Sequence, residues 1–148
     1  MFDSTMILFI IIVLLALSFD FINGFHDTAN SIATSVSTKA LTPRAAIALA
    51  SFMNLLGAFA FTGVAKTIGG KIANPLMLDN GMLIVVAALL TAIAWNLITW
   101  YYGIPSSSSH ALIGSLTGSV IVAAGFGAVH FSGFTTILGA LILSPLVA

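Results

Sequence analysis

From Asn80 to Ala148 the chain contains no aspartate, glutamate, lysine or arginine. A run of that length without charge has no solvated face, which confines it to lipid or to a large buried core. The rest of the chain agrees with the first choice. Of 148 residues, 59% are hydrophobic and 5% charged, with a mean hydropathy of +1.17, against roughly 25% charged in ordinary globular domains. The broad class is an all-α membrane protein. Four basic residues balance four acidic ones, so the electrostatic footprint of nucleic-acid binding is missing. With no cysteine, disulfides, thiolate metal sites and cysteine nucleophiles drop out. The N-terminus, Met1-Phe2-Asp3-Ser4-Thr5, has no basic residue and no small-residue cleavage site follows, so the first apolar helix is expected to be retained.

The pattern along the chain predicts a helix bundle. Residues 6 to 40 in one straight helix would measure about 52 Å, against ~30 Å of hydrocarbon, so a break is expected. Asn23-Gly24 is where glycine and a backbone-competing amide coincide. The expectation is therefore a helix over 6–23 continuing to a half-helix over 26–38. Lys39 to Arg44 forms a boundary with Thr42 as cap and Pro43 at a helix start. A second span is expected over 45–65 and a Gly-, Asn- and Pro-rich connection over 66–80. A third span over 82–101 ends in Trp95, Trp100, Tyr101 and Tyr102, aromatics that settle at headgroup depth. Gly103-Ile104-Pro105 then breaks the chain before a half-helix over 106–124, in which Gly114 and Gly118 are spaced for close packing. The last stretch, 134–148, is shorter than a span and includes Pro145, as though a helix were cut through.

Two polar constellations interrupt this apolar background. Ser106, Ser107, Ser108 and Ser109 follow Pro105 and precede His110 and an apolar helix. They furnish a helix N-terminus with hydroxyls, free backbone N–H groups and about +0.5 elementary charge from the macrodipole. Such an end suits a tetrahedral oxyanion such as phosphate or sulfate without lysine or arginine. The plainer alternative is that the serines only cap the helix. The second constellation is Asp27 with Thr28, Asn30 and Ser31, in which residues 27, 30 and 31 share a helix face. Oxygen ligands suit a hard metal cation, or a proton on Asp27. A structural pairing of Asp27 with His26 or His110 is the alternative. Asp20, seven residues earlier, can line the same face as a second ion-site or proton-relay residue, with a helix-end carboxylate as the alternative. His26 can shuttle a proton or ligate a metal, whereas His130, in a Gly-rich link, reads as a loop residue. An intramembrane serine hydrolase is not supported, because adjacent Ser109 and His110 lack base geometry and no nucleophile turn is present; the chain is not expected to be an enzyme.

The segments Gly24-Phe25-His26-Asp27-Thr28-Ala29-Asn30-Ser31 and Gly103-Ile104-Pro105-Ser106-Ser107-Ser108-Ser109-His110 closely resemble the two signatures of the inorganic phosphate transporter (PiT) family. The resemblance implies one half of an inverted-repeat transporter with broken or re-entrant half-helices. It implies cation-coupled phosphate transport in a multi-pass cell membrane protein of the bacterial inner-membrane type. It further implies that Ser107, Ser108 and Ser109 contact phosphate, with Ser106 more variable, and that Asp27 and Asn30 belong to the coupling-ion site. Sodium-coupled members commonly carry Asn at the position of His26, so a proton or a divalent metal travelling as metal phosphate is expected ahead of sodium. No other cofactor is implied. Each motif occurs once, so a C-terminal repeat, or a second copy in a homo-oligomer, is the expected partner. A channel-like half-bundle and a sulfate or other oxyanion transporter remain the alternatives.

Overall fold

A computed structural model describes residues 3–60, residue 75 and residues 78–147. Among them every regular element is helical: α1 Ser4–Ser37, α2 Pro43–Ala60, α3 Gly81–Tyr101, α4 Ser108–Ala124 and α5 Phe131–Val147, with a 3-10 turn at Phe126–Ala128 before α5. Two of these, α1 and α3, are long and apolar enough to cross a membrane. Residues 61–65 of the expected second span, and most of the expected connection over 66–80, lie outside the described residues.

α3 is the central helix. One of its faces packs Ile84 and Ala88 with Ile113, Leu116 and Val120 of α4, and Val129 and Ile137 close the same cluster. An adjoining face packs Leu89 and Ala92 against Phe19 of α1. Ala88 and Ala92 are almost fully enclosed. In lipid, where apolar burial alone drives no association, small residues of this kind let helices approach closely enough for van der Waals packing to hold them. Phe25 of α1 then meets Trp100 of α3 edge to face, with ring centroids 5.6 Å apart. Because Phe19 precedes Phe25 as Ala92 precedes Trp100, α1 and α3 run in the same direction. α4 folds back antiparallel to α3, since Trp95 bonds Ser106 while Leu83 and Val122 lie at the far end of the same groove.

The reversal between α3 and α4 is a Schellman motif. Gly103 takes φ +64°, Gly103 N–H donates to Trp100 C=O at 3.1 Å, and Ile104 N–H donates to Thr99 C=O at 2.8 Å. A left-handed residue after the helix end is what glycine permits without steric penalty, and Pro105 prevents the helix from resuming. The break expected at Gly-Ile-Pro is therefore present, although α4 starts at Ser108 rather than at Ser106. α2 begins at Pro43, two residues before the expected span, and the last helix begins at Phe131 rather than at Phe134.

The break expected at Asn23-Gly24 is absent. α1 is one helix of 34 residues, about 51 Å long at ~1.5 Å per residue, so the expected half-helix 26–38 is its C-terminal part. One interior glycine costs only about 1 kcal/mol relative to alanine. The contacts that Phe19 and Phe25 make with α3, on either side of the junction, outweigh it. A helix so much longer than ~30 Å of hydrocarbon must tilt, protrude or both. Gly114 and Gly118 also depart from expectation. A Cβ at either would meet open space, because their face of α4 lines an open groove of about 720 Å³ between α3 and α4.

The continuity of α1 makes a prediction. A Cβ at Gly24 would meet nothing within 4 Å, so Gly24→Ala should stabilise the protein by ~0.5–1 kcal/mol, read as a higher melting temperature in detergent. A lowered melting temperature would mean that the helix is interrupted there after all.

Candidate functional site

The Schellman turn delivers the serines to one place. Ser107 is the N-cap of α4, with extended backbone at φ −100° and ψ 117°, and its Oγ accepts from the His110 N–H at 3.4 Å. The N–H groups of Ser108 and Ser109, in the first turn, have no intrahelical acceptor by construction. Ser106 Oγ accepts from the indole Nε1–H of Trp95 at 3.1 Å. Ser108 Oγ donates to Asp27 Oδ2 at 3.3 Å, across 81 residues of sequence. The two sequence motifs therefore meet, through a hydroxyl and a carboxylate.

A hydroxyl has one proton to give and two lone pairs that accept. Ser106 and Ser107 are held through their lone pairs, by Trp95 and by His110, so their protons remain available to a ligand. Ser108 is held through its proton. The turn thus presents hydroxyl donors and first-turn N–H groups at a helix end carrying partial positive charge, which is the chemistry that holds an oxyanion. Asp27 is half-buried beside the same end.

These charges set what the helix end can hold by itself. An exposed helix end contributes typically 0.3–1 kcal/mol to one anion. Two unit negative charges ~6 Å apart repel by about 3 kcal/mol at an effective dielectric constant of ~20. The helix end alone cannot hold an ionised Asp27 and an anionic ligand together, whereas a cation at Asp27 removes the conflict.

The other expected residues are placed unequally. His26 is buried, at 7% exposure, next to Asp27. Ser109 is half-buried, Ser107 and His110 are exposed, and Ser31 is tied back to Thr28 C=O. Asn30 and Asp20 are exposed on α1 and have no side-chain hydrogen bond among the described residues. Asp20 is thus not brought to the serine turn. His130 is exposed in the link before α5, as expected of a loop residue.

Residues that the sequence did not assign to the site complete it. Trp95, which the sequence presents as an interfacial aromatic, holds Ser106. Trp100 braces Phe25 two residues before Asp27. The available signal was the Gly-Ile-Pro reversal, which folds the start of α4 back along the last turns of α3.

Comparison with known proteins follows the same outline. The phosphate transporter family model matches residues 23–148. The chain is 66% identical to a probable low-affinity inorganic phosphate transporter of Bacillus subtilis (strain 168), over 99% of this chain and 44% of that protein. It is 38% identical to the low-affinity inorganic phosphate transporter PitB of Escherichia coli (strain K12), over 93% of this chain and 30% of that protein. The solved structure of a sodium-dependent phosphate transporter matches with a TM-score of 0.87 and 34% identity, over 95% of this chain and 36% of that one. The chain spans less than half the length of these three proteins. On the family match and the shared helical fold, the chain belongs to the phosphate transporter family.

Proposed function

We propose that this chain is one repeat of a secondary transporter that moves inorganic phosphate across a cell membrane together with a cation. The observation that carries the reading is the hydrogen bond from Ser108 to Asp27, which joins an oxyanion-type helix end to a carboxylate within one site. Ser106, Ser107 and Ser109 offer hydroxyl donors to phosphate, Ser108 joins them when its bond to Asp27 is released, and the N–H groups of the first turn of α4 take further oxygens. Asp27 holds the positive charge that makes phosphate compatible with the same helix end. Asn30, three residues on, is the secondary ligand on that helix.

A second copy of both motifs is needed to enclose the ion from the other side, as in inverted-repeat transporters with sites between their halves. Either a C-terminal repeat or a second copy of this chain supplies it, in a multi-pass protein of the bacterial inner membrane. The two halves then rock about the shared site, exposing it to each side in turn.

Three outcomes test the reading in cells expressing the protein. Asp27→Asn, which keeps the shape and removes the charge, should abolish coupled uptake of labelled phosphate while leaving the amount of folded protein unchanged; normal accumulation would sink the assignment. Ser107→Ala and Ser108→Ala should each raise the apparent KM for phosphate roughly five- to 150-fold, the equivalent of a lost hydrogen bond to a charged group of about 1–3 kcal/mol. Unchanged kinetics in both would leave the serines as mere helix caps. Trp95→Phe keeps the ring and deletes the donor to Ser106, so KM should rise about two- to tenfold with kcat little altered, the scale of one neutral hydrogen bond. An equal fall in kcat instead would place Trp95 in the transport step. Competition by sulfate as strong as by phosphate would favour a general oxyanion carrier.

A further inference from the structure

Thr99 is 2% exposed, and its hydroxyl proton is shared between two carbonyls one turn back along α3. Its Oγ1 donates to Trp95 C=O at 2.9 Å and to Asn96 C=O at 3.1 Å. Ser18, Thr91 and Thr136 also donate to the carbonyl four residues back, but from exposed faces. There the bond satisfies a hydroxyl that would otherwise meet lipid unpaired. At Thr99 packing does not call for a hydroxyl, because valine has nearly the same branched shape and no proton to place. What the hydroxyl adds is constraint: a side chain bonded back to the carbonyl four residues earlier bends a helix and fixes its local path.

That constraint falls on the residues that hold the serine turn. Trp95, whose carbonyl takes the bond, holds Ser106 through its indole Nε1–H at 3.1 Å. The carbonyl of Thr99 itself accepts from the Ile104 N–H at 2.8 Å and so closes the turn that carries the serines. The next residue, Trp100, meets the ring of Phe25, two residues before Asp27. Through its two oxygens Thr99 therefore joins the residue that bonds Ser106 to the turn from which Ser106 extends.

We propose that Thr99 is a positioning residue for phosphate binding, a role that rests on the serine turn being the phosphate site. Its hydroxyl sets the path of the last two turns of α3, and with it the place at which the Trp95 indole meets Ser106. Without that hydroxyl the Trp95 carbonyl keeps only its helical N–H partner and the last turns straighten. The Trp95–Ser106 pair then lengthens or parts. Ser106, no longer held through its lone pair, meets phosphate from more than one orientation, which weakens binding and leaves the translocation step alone.

Thr99→Val removes the hydroxyl at nearly constant shape, whereas Thr99→Ser keeps it. In cells taking up labelled phosphate, Thr99→Val should raise KM about two- to tenfold, the scale of the one hydrogen bond it acts through. The kcat should change little, and Thr99→Ser should behave as the unaltered protein does. In a Trp95→Phe background, which has already lost the bond to Ser106, Thr99→Val should change KM by less than about twofold. Unchanged KM in Thr99→Val, a fall in kcat alone, or equal effects in the two backgrounds would overturn the proposal. Should Thr99→Val not fold, Thr99→Ala, which also lacks the hydroxyl, carries the same expectations.

A second readout needs no transport. Trp95 and Trp100 are the two tryptophans of the sequence, so Trp100→Phe leaves Trp95 as the one indole emitter. In that purified protein Thr99→Val should shift the Trp95 emission maximum and Thr99→Ser should not. Identical emission in all three would break the link between Thr99 and Trp95. A shifted emission in a protein whose unaltered form takes up no phosphate would overturn the phosphate assignment, and the role proposed here with it, while upholding the link from Thr99 to Trp95.

Discussion

The site depends on one backbone angle. Gly103 at φ +64° closes α3 through the Trp100 and Thr99 carbonyls and turns the chain so that α4 starts beside the end of the helix it has just left. Any residue with a Cβ would carry a steric penalty there. Without that reversal Ser106 would not reach Trp95, Ser107 would cap a helix pointing elsewhere, and Ser108 would not meet Asp27. The turn sets a linear serine run against Trp95 of α3 and Asp27 of α1.

Much of this architecture was legible in the residues. Gly-Ile-Pro marked the reversal because each residue has a distinct backbone consequence, and the charge-free stretch around it left no option but buried or lipid-covered helices. The serine run announced a helix N-terminus for the same local reasons. The expected kink at Asn23-Gly24 failed because it rests on propensity, worth about 1 kcal/mol, while the aromatic contacts flanking it are tertiary. That Asn96 is buried with no hydrogen-bond partner among the described residues was equally illegible, since an amide in an apolar run reads the same whether it faces a neighbour or not.

The apolar surface shows how the described helices are used. Phe21, Phe59 and Val122 are 74%, 82% and 88% exposed, far beyond what a water-soluble fold leaves open. For a member of a membrane transporter family these faces meet lipid or further protein. Polar groups are concentrated instead where α1, α3 and the start of α4 converge. The interior is mainly apolar, with His26, Asn96, Thr99, Ser115 and Thr117 as its buried polar minority.

If the proposed cation-coupled transport holds, the bond between Ser108 and Asp27 also implies an order of events. A hydroxyl has a single proton, and that of Ser108 is already given to a carboxylate. An anion arriving at the turn finds this donor engaged until positive charge reaches Asp27 and weakens its hold. The oxygen then frees its hydrogen for the newcomer. One rotatable O–H would in this way act as an interlock, in which the cation is the key and the anion's full set of donors is assembled only after the key is in.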